Sequence, residues 1–157
     1  MFSIGDKIVY PMHGAGIIEQ IEEKKILGET REYYILRVPY GDMKIMIPVE
    51  SCEEVGIRSI ISREQLSEVI ELLKSDSTEM SDNWNRRNRE NMELLKTGDI
   101  FKVAEVVRNL IRTDRCKKLS TGEKKMLTNA KQILISEFIL ASGMTREEAD
   151  ELIESTV

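Results

Sequence analysis

The chain has 157 residues, 41% of them apolar and 32% charged, with a formal net charge of −5. That length suits one ordinary domain or two small ones. No run approaches the ~18 apolar residues of a membrane span, and Met1-Phe2-Ser3-Ile4-Gly5-Asp6 lacks the basic and apolar regions of a leader, so the expectation is a folded cytoplasmic protein. Cys52 and Cys116 lie far apart without metal-ligand spacing, which predicts two reduced thiols and no disulfide framework, metal site or cofactor.

The first 58 residues read as short strands. Lys7-Ile8-Val9-Tyr10 is extended, Pro11, His13-Gly14 and Gly16 interrupt it, and Ile17 to Ile21 resumes an apolar run. Gly28 breaks the next pair, and Tyr33 to Val38 is rich in strand formers. Tyr40-Gly41-Asp42 signals a tight turn, and Met43 to Ile47 stops at Pro48. About five strands result, too few for two packed sheets but enough for a small curled barrel.

After Gly56 the apolar period becomes helical. Ser62 with Gln65 has capping-box spacing ahead of Leu66, Val69, Ile70 and Leu73. Ser81 or Asp82 begins a second helix that ends near Gly98, and Asp99 caps a third that turns Val103, Val107, Leu110 and Ile111 inward, with Arg108, Arg112 and Arg115 on a shared face. Ser120 with Glu123 makes another capping box, followed by a stripe of Met126, Leu127, Ala130, Ile133, Leu134 and Phe138 before Gly143. Thr145 with Glu148 starts the last helix. The chain therefore reads as an α+β protein of two domains, a β-barrel over 1–58 and a compact all-α domain of about five helices over 59–157, joined near residues 56–61.

The second helix carries Trp84, the single tryptophan, within Asn83-Trp84-Asn85-Arg86-Arg87-Asn88-Arg89. Residues 84–131 hold 13 Lys+Arg against 6 Asp+Glu, whereas the segments on either side are acidic. A local excess of this size favours a surface facing phosphates over a merely solvated one. A rigid ring among arginines suits a wedge at a distorted base step, yet a lone tryptophan is also an ordinary core or interface anchor. Helical spacing puts Arg87, Asn88 and Asn91 on the Trp84 face, where a core stripe would be apolar, although Met80 and Leu95 lie near the same azimuth. That balance favours a partly exposed ring.

Nothing in the sequence forms a catalytic constellation. His13 is the single histidine and sits in a turn, Gly14-Ala15-Gly16 lacks the rest of a phosphate loop, and Glu22-Glu23 and Glu53-Glu54 read as solvated charges. The chain is read as a non-enzyme. An RNA-binding barrel is disfavoured by the acidic first half, and a protein adaptor with Trp84 as a buried interdomain anchor is the alternative to a nucleic-acid wedge.

Gly5-Asp6-Lys7-Ile8-Val9-Tyr10-Pro11-Met12-His13-Gly14, Glu32-Tyr33, Ile47-Pro48, Val55-Gly56-Ile57-Arg58, Asn83-Trp84, Lys102-Val103-Ala104-Glu105-Val106-Val107-Arg108 and Leu119 to Leu127 occur in this order over nearly the whole chain. In these blocks it resembles the CarD/CdnL family of bacterial transcription regulators. The resemblance implies a Tudor-like or SH3-like barrel that binds the RNA polymerase β subunit. It also implies a helical domain that meets promoter DNA at the upstream edge of the transcription bubble, with Trp84 wedged in the minor groove. By position, Arg86, Arg87, Arg89 and Lys124 are expected at phosphates, and Lys24, Ile26 and Met46 on the polymerase-binding surface. Met46 departs from family members that carry an arginine there.

Overall fold

The structure, a computed structural model, describes residues 2–39 and 43–157. The turn expected at Tyr40-Gly41-Asp42 lies outside the described residues. The first half is a five-stranded antiparallel sheet of β1 (Lys7–Tyr10), β2 (Gly14–Ile26), β3 (Glu29–Arg37), β4 (Lys44–Pro48) and β5 (Arg58–Ser59), in the order β4-β3-β2-β1-β5. β2 and β3 are joined by Leu27-Gly28, whose φ angles of 53° and 82° give the two positive values that match a two-residue hairpin to strand twist. The register of this pair shifts between Ile18 and Gln20. Such an irregularity bends a strand, and here it lets the sheet curl around Ile8, Ile18, Tyr34, Leu36 and Ile47.

β4 and β5 are the two ends of the ladder. Residues 49–57 connect them and carry Val49, Cys52 and Ile57 into the core. This connection includes α1 (Cys52–Val55), a single turn that the sequence pattern did not reveal, ended by Gly56 at φ 77°. Four residues are too few to display a helical period, so only the glycine stop was readable.

The second half contains the five expected helices, α2 (Arg63–Lys74), α3 (Trp84–Lys96), α4 (Ile100–Cys116), α5 (Thr121–Ser142) and α6 (Arg146–Thr156). Ser62 and Thr145 form complete capping boxes, and Asp99 accepts from the Phe101 amide at 2.9 Å. Two starts differ from the sequence reading. Asn83, rather than Ser81 or Asp82, caps α3, its Oδ1 accepting from the Arg86 amide at 3.0 Å. Ser120 caps α5 through the Glu123 amide, but the Glu123 carboxylate is engaged by Arg87 instead of returning to the Ser120 backbone. Val103, Val107, Leu110, Ala130, Leu134 and Phe138 form the centre of the helical core, where α4 and α5 pack together.

α5 also packs on β2 and so joins the two halves. Gly14 lies so close to it that an added Cβ would meet Ser136 Oγ at 2.7 Å. That hydroxyl accepts from the Ala15 amide at 2.9 Å. One residue on, Glu137 is 1% exposed. It accepts two guanidinium hydrogen bonds from Arg58, both 2.8 Å, and one from the Ile61 amide at 2.9 Å. Arg58 Nε donates to Gly98 O at 2.9 Å. A buried carboxylate is tolerated only with such a full set of partners, so the joint requires one relative placement of the two halves.

Candidate nucleic-acid interface

Trp84 is the first residue of α3 and keeps 46% of its surface exposed. Its indole Nε1 donates to Ser120 Oγ at 3.2 Å, which fixes the ring to the start of α5. The ring edge also passes over Gly122, 3.6 Å from the position a Cβ would take. These contacts all lie within the helical half, away from the joint at Gly14, Ser136 and Glu137. The reading of Trp84 as a buried interdomain anchor is therefore corrected: the ring is half exposed and held between two helix starts.

The polar face expected to keep Trp84 in water is in fact the packed face of α3. Asn91 and Leu95 are buried, and Arg87 is half-buried. Arg87 and Asn91 are accommodated there because each has a partner. Arg87 Nε and Nη2 contact the two Glu123 carboxylate oxygens at 3.0 and 3.2 Å, Arg87 Nη1 donates to Ser81 O at 3.0 Å, and Asn91 Nδ2 donates to Met80 Sδ. Trp84 escapes burial because it stands at the helix end, where the face overhangs α5. Hydrogen bonding from Arg87 holds the Glu123 carboxyl below the usual carboxylate range against the opposing effect of burial. The same contact raises Arg87 above its ordinary value.

The basic segment is likewise less outward-facing than its composition implies. Arg108 is 2% exposed and donates to Leu72 O, Ser75 Oγ, Thr78 Oγ1 and Asn109 Oδ1, and Arg112 donates to Leu73 O and Lys74 O. These two cations satisfy the carbonyl end of α2. Arg115 and Lys131 pair with acidic residues of α6. The exposed cations nearest Trp84 in the chain and on α5 are Arg86, Arg89, Lys124 and Lys125. Arg86 is bound to Glu90 at 2.8 Å, whereas Arg89 has no ion-pair partner among the described residues. Ser120, Glu123 and Lys125 were not singled out as site residues from sequence. The Ser120–Glu123 spacing was legible only as a helix start, and the approach of α3 to it is tertiary.

On the sheet, Lys24 and Ile26 of β2 and Met46 of β4 share one face. Lys24 pairs with Arg31 and Ile26 with Glu29, while Met46 pairs with Ile35, which itself faces Gln20. Since alternate residues point the same way, this row lies opposite the core row of Tyr34, Leu36 and Ile47. All three are solvent-exposed, Met46 at 40%. Leu27 at the hairpin tip is 99% exposed. His13 stacks on Tyr10 with ring centroids 4.4 Å apart. No cluster of three or more His, Cys, Asp or Glu poised for a metal occurs among the described residues, and no described helix is long and apolar enough to cross a membrane.

A curled antiparallel sheet locked to a helical domain that presents a half-exposed tryptophan among cations is an α+β architecture of two domains. Residues 2–61 match the family model for the CarD-like/TRCF RID domain, and residues 68–154 match that for the CarD C-terminal domain. The chain is 42% identical over 148 residues to "Putative transcription factor YdeB" of Bacillus subtilis (strain 168), an alignment covering 94% of this chain and 97% of that protein. The chain belongs to the CarD/CdnL family and is a transcription regulator.

Proposed function

We propose that this regulator stabilises the open promoter complex: the sheet domain binds the RNA polymerase β subunit, and Trp84 wedges into the minor groove at the upstream edge of the bubble. The observation that carries the reading is the Trp84 ring, exposed over nearly half its surface yet fixed through Nε1 to Ser120. A wedge must be rigid before it meets DNA, since flexibility would be lost on binding at a cost in affinity. Arg86, Arg89 and Lys124 are in this reading the phosphate contacts. Lys124 sits in the first turn of α5, where a cation opposes the helix dipole, so its benefit is more readily found in an anionic partner than in helix stability. Arg87, clamped to Glu123, acts by positioning Trp84 rather than by meeting phosphate. Lys24, Ile26 and Met46, on one exposed sheet face, are the polymerase contacts.

No bond is made or broken. Promoter opening is an equilibrium, and a protein that binds the open form better shifts it by the ratio of the two affinities. Tethering through polymerase raises the local concentration of the helical domain, so a weak contact suffices despite the acidic total charge. Contacts to phosphate carry little sequence information, which suits action at many promoters. The test is bubble lifetime with purified bacterial RNA polymerase. Wild type should lengthen it, and folded Trp84→Ala should lose most of the effect, about tenfold in the factor's contribution. An unchanged lifetime at saturating wild-type protein sinks the proposal.

A further inference from the structure

Beside the Trp84 ring, α3 and α5 diverge to leave an open groove of about 580 Å³. That volume falls within the ~300–1,000 Å³ of small-molecule sites. Trp84, Met92 and Met126 supply its apolar walls, and Lys125 is a further lining residue. Three side-chain amides, Asn88, Asn129 and Gln132, line the same space. Among the described residues none of these amides has a hydrogen-bond partner.

This combination selects its ligand. An aliphatic chain or lipid tail would meet the apolar walls but leave three amides unmatched, and an aromatic or guanidinium side chain of a protein partner would stack there but bring no anion to Lys125. A nucleobase has two apolar faces for an indole and thioethers, and an edge of alternating donors and acceptors. A carboxamide offers one donor group beside one acceptor, the complement of such an edge. Lys125 is suited to the attached phosphate. In duplex DNA the pairing edge is already occupied, and extracting a base is least costly where it is already unpaired.

We propose that the groove receives one unpaired nucleobase of single-stranded DNA at a fork, stacked against Trp84 and hydrogen-bonded by Asn88, Asn129 and Gln132. This rests on the reading of Trp84 as a fork wedge and adds a ligand for the space next to the ring. The base is held from the side that its partner strand has vacated, so occupancy opposes re-pairing directly rather than only propping the strands apart.

The test uses the full chain and four fluorescently labelled synthetic DNAs at low salt: a duplex, a fork with bases throughout its single-stranded arms, and two forks with an abasic residue at the first unpaired position of one arm or the other. Wild type should bind the base-bearing fork about tenfold more tightly than the abasic fork of one strand. Asn88→Leu/Asn129→Leu, at two positions that make no internal hydrogen bond, should reduce that ratio below about threefold and keep the preference for fork over duplex. Equal wild-type affinity for base-bearing and abasic forks overturns the groove assignment and leaves the wedge standing. Equal affinity for fork and duplex overturns the wedge itself. A full ratio in the folded double variant removes the amides from recognition and with them this assignment.

Discussion

Glu123 shows how one side chain serves two ends at the site. Its backbone amide is capped by Ser120 Oγ, and its carboxylate holds both Arg87 nitrogens that face it. Ser120 in turn accepts the Trp84 indole hydrogen. Removing the charge in Glu123→Gln leaves a half-buried guanidinium poorly paired, with an expected cost of about 3 kcal/mol in thermal or denaturant unfolding. The pH dependence has a defined sign. Arg87 lowers the folded-state pKa of Glu123, so this contribution is present above the ordinary carboxylate range and disappears as pH falls through the folded value. Wild type and Glu123→Gln should therefore differ most near neutrality and converge in melting temperature in acid. A gap that persists at low pH would contradict the ion-pair account.

At the scale of elements, the close approach of β2 and α5 depends on a missing side chain. Gly14 has φ +103°, outside the range comfortable for other residues, and a Cβ there would stand 2.7 Å from Ser136 Oγ. Gly14→Ala combines backbone strain with a clash, and about 1–3 kcal/mol of lost stability is expected, read as a drop in melting temperature. Adding Ser136→Ala relieves the clash but not the φ strain, and it removes the hydroxyl that accepts from the Ala15 amide, so it should restore at most part of the loss. Full restoration would show that the backbone angle costs nothing. The α2–α4 pair rests on a different device, since buried Arg108 reaches the carbonyl end of α2 with a fork of donors. Burial pulls its pKa below the usual guanidinium range. Arg108→Lys keeps a charge but loses the fork, and should cost about 2 kcal/mol in the same measurement.

For the whole molecule, Glu137 is the link between the sheet and the helices. It is almost fully buried and receives Arg58 and the Ile61 amide from the chain that crosses between the halves. Glu137→Ala strands the Arg58 guanidinium at the joint, with an expected loss of about 3–5 kcal/mol. Tryptophan emission reports the helical half and far-ultraviolet circular dichroism the entire chain. These signals should change together in wild type and separate in the variant if the halves become independent. Under the proposed function, the variant should also shorten bubble lifetime relative to wild type with Trp84 intact, because a tethered wedge acts only when its tether fixes its position.

Local signals sufficed for the order of strands and helices, most of the caps and the family: Gly, Pro, Ser and Asp act on neighbouring backbone, and apolar periodicity is written along the chain. The sequence also placed Trp84 and a cluster of cations at one helix start. Tertiary structure decided which of those cations face water. Arg87, Arg108 and Arg112 look alike in composition to Arg86 and Arg89, but Glu123 and the α2 carbonyls that draw them inward arrive from distant segments. The same reason explains the inverted face of α3, where Asn91 is buried beside Leu95. Polarity along a helix records which groups need partners, and only the packing of other elements determines whether water or protein supplies them.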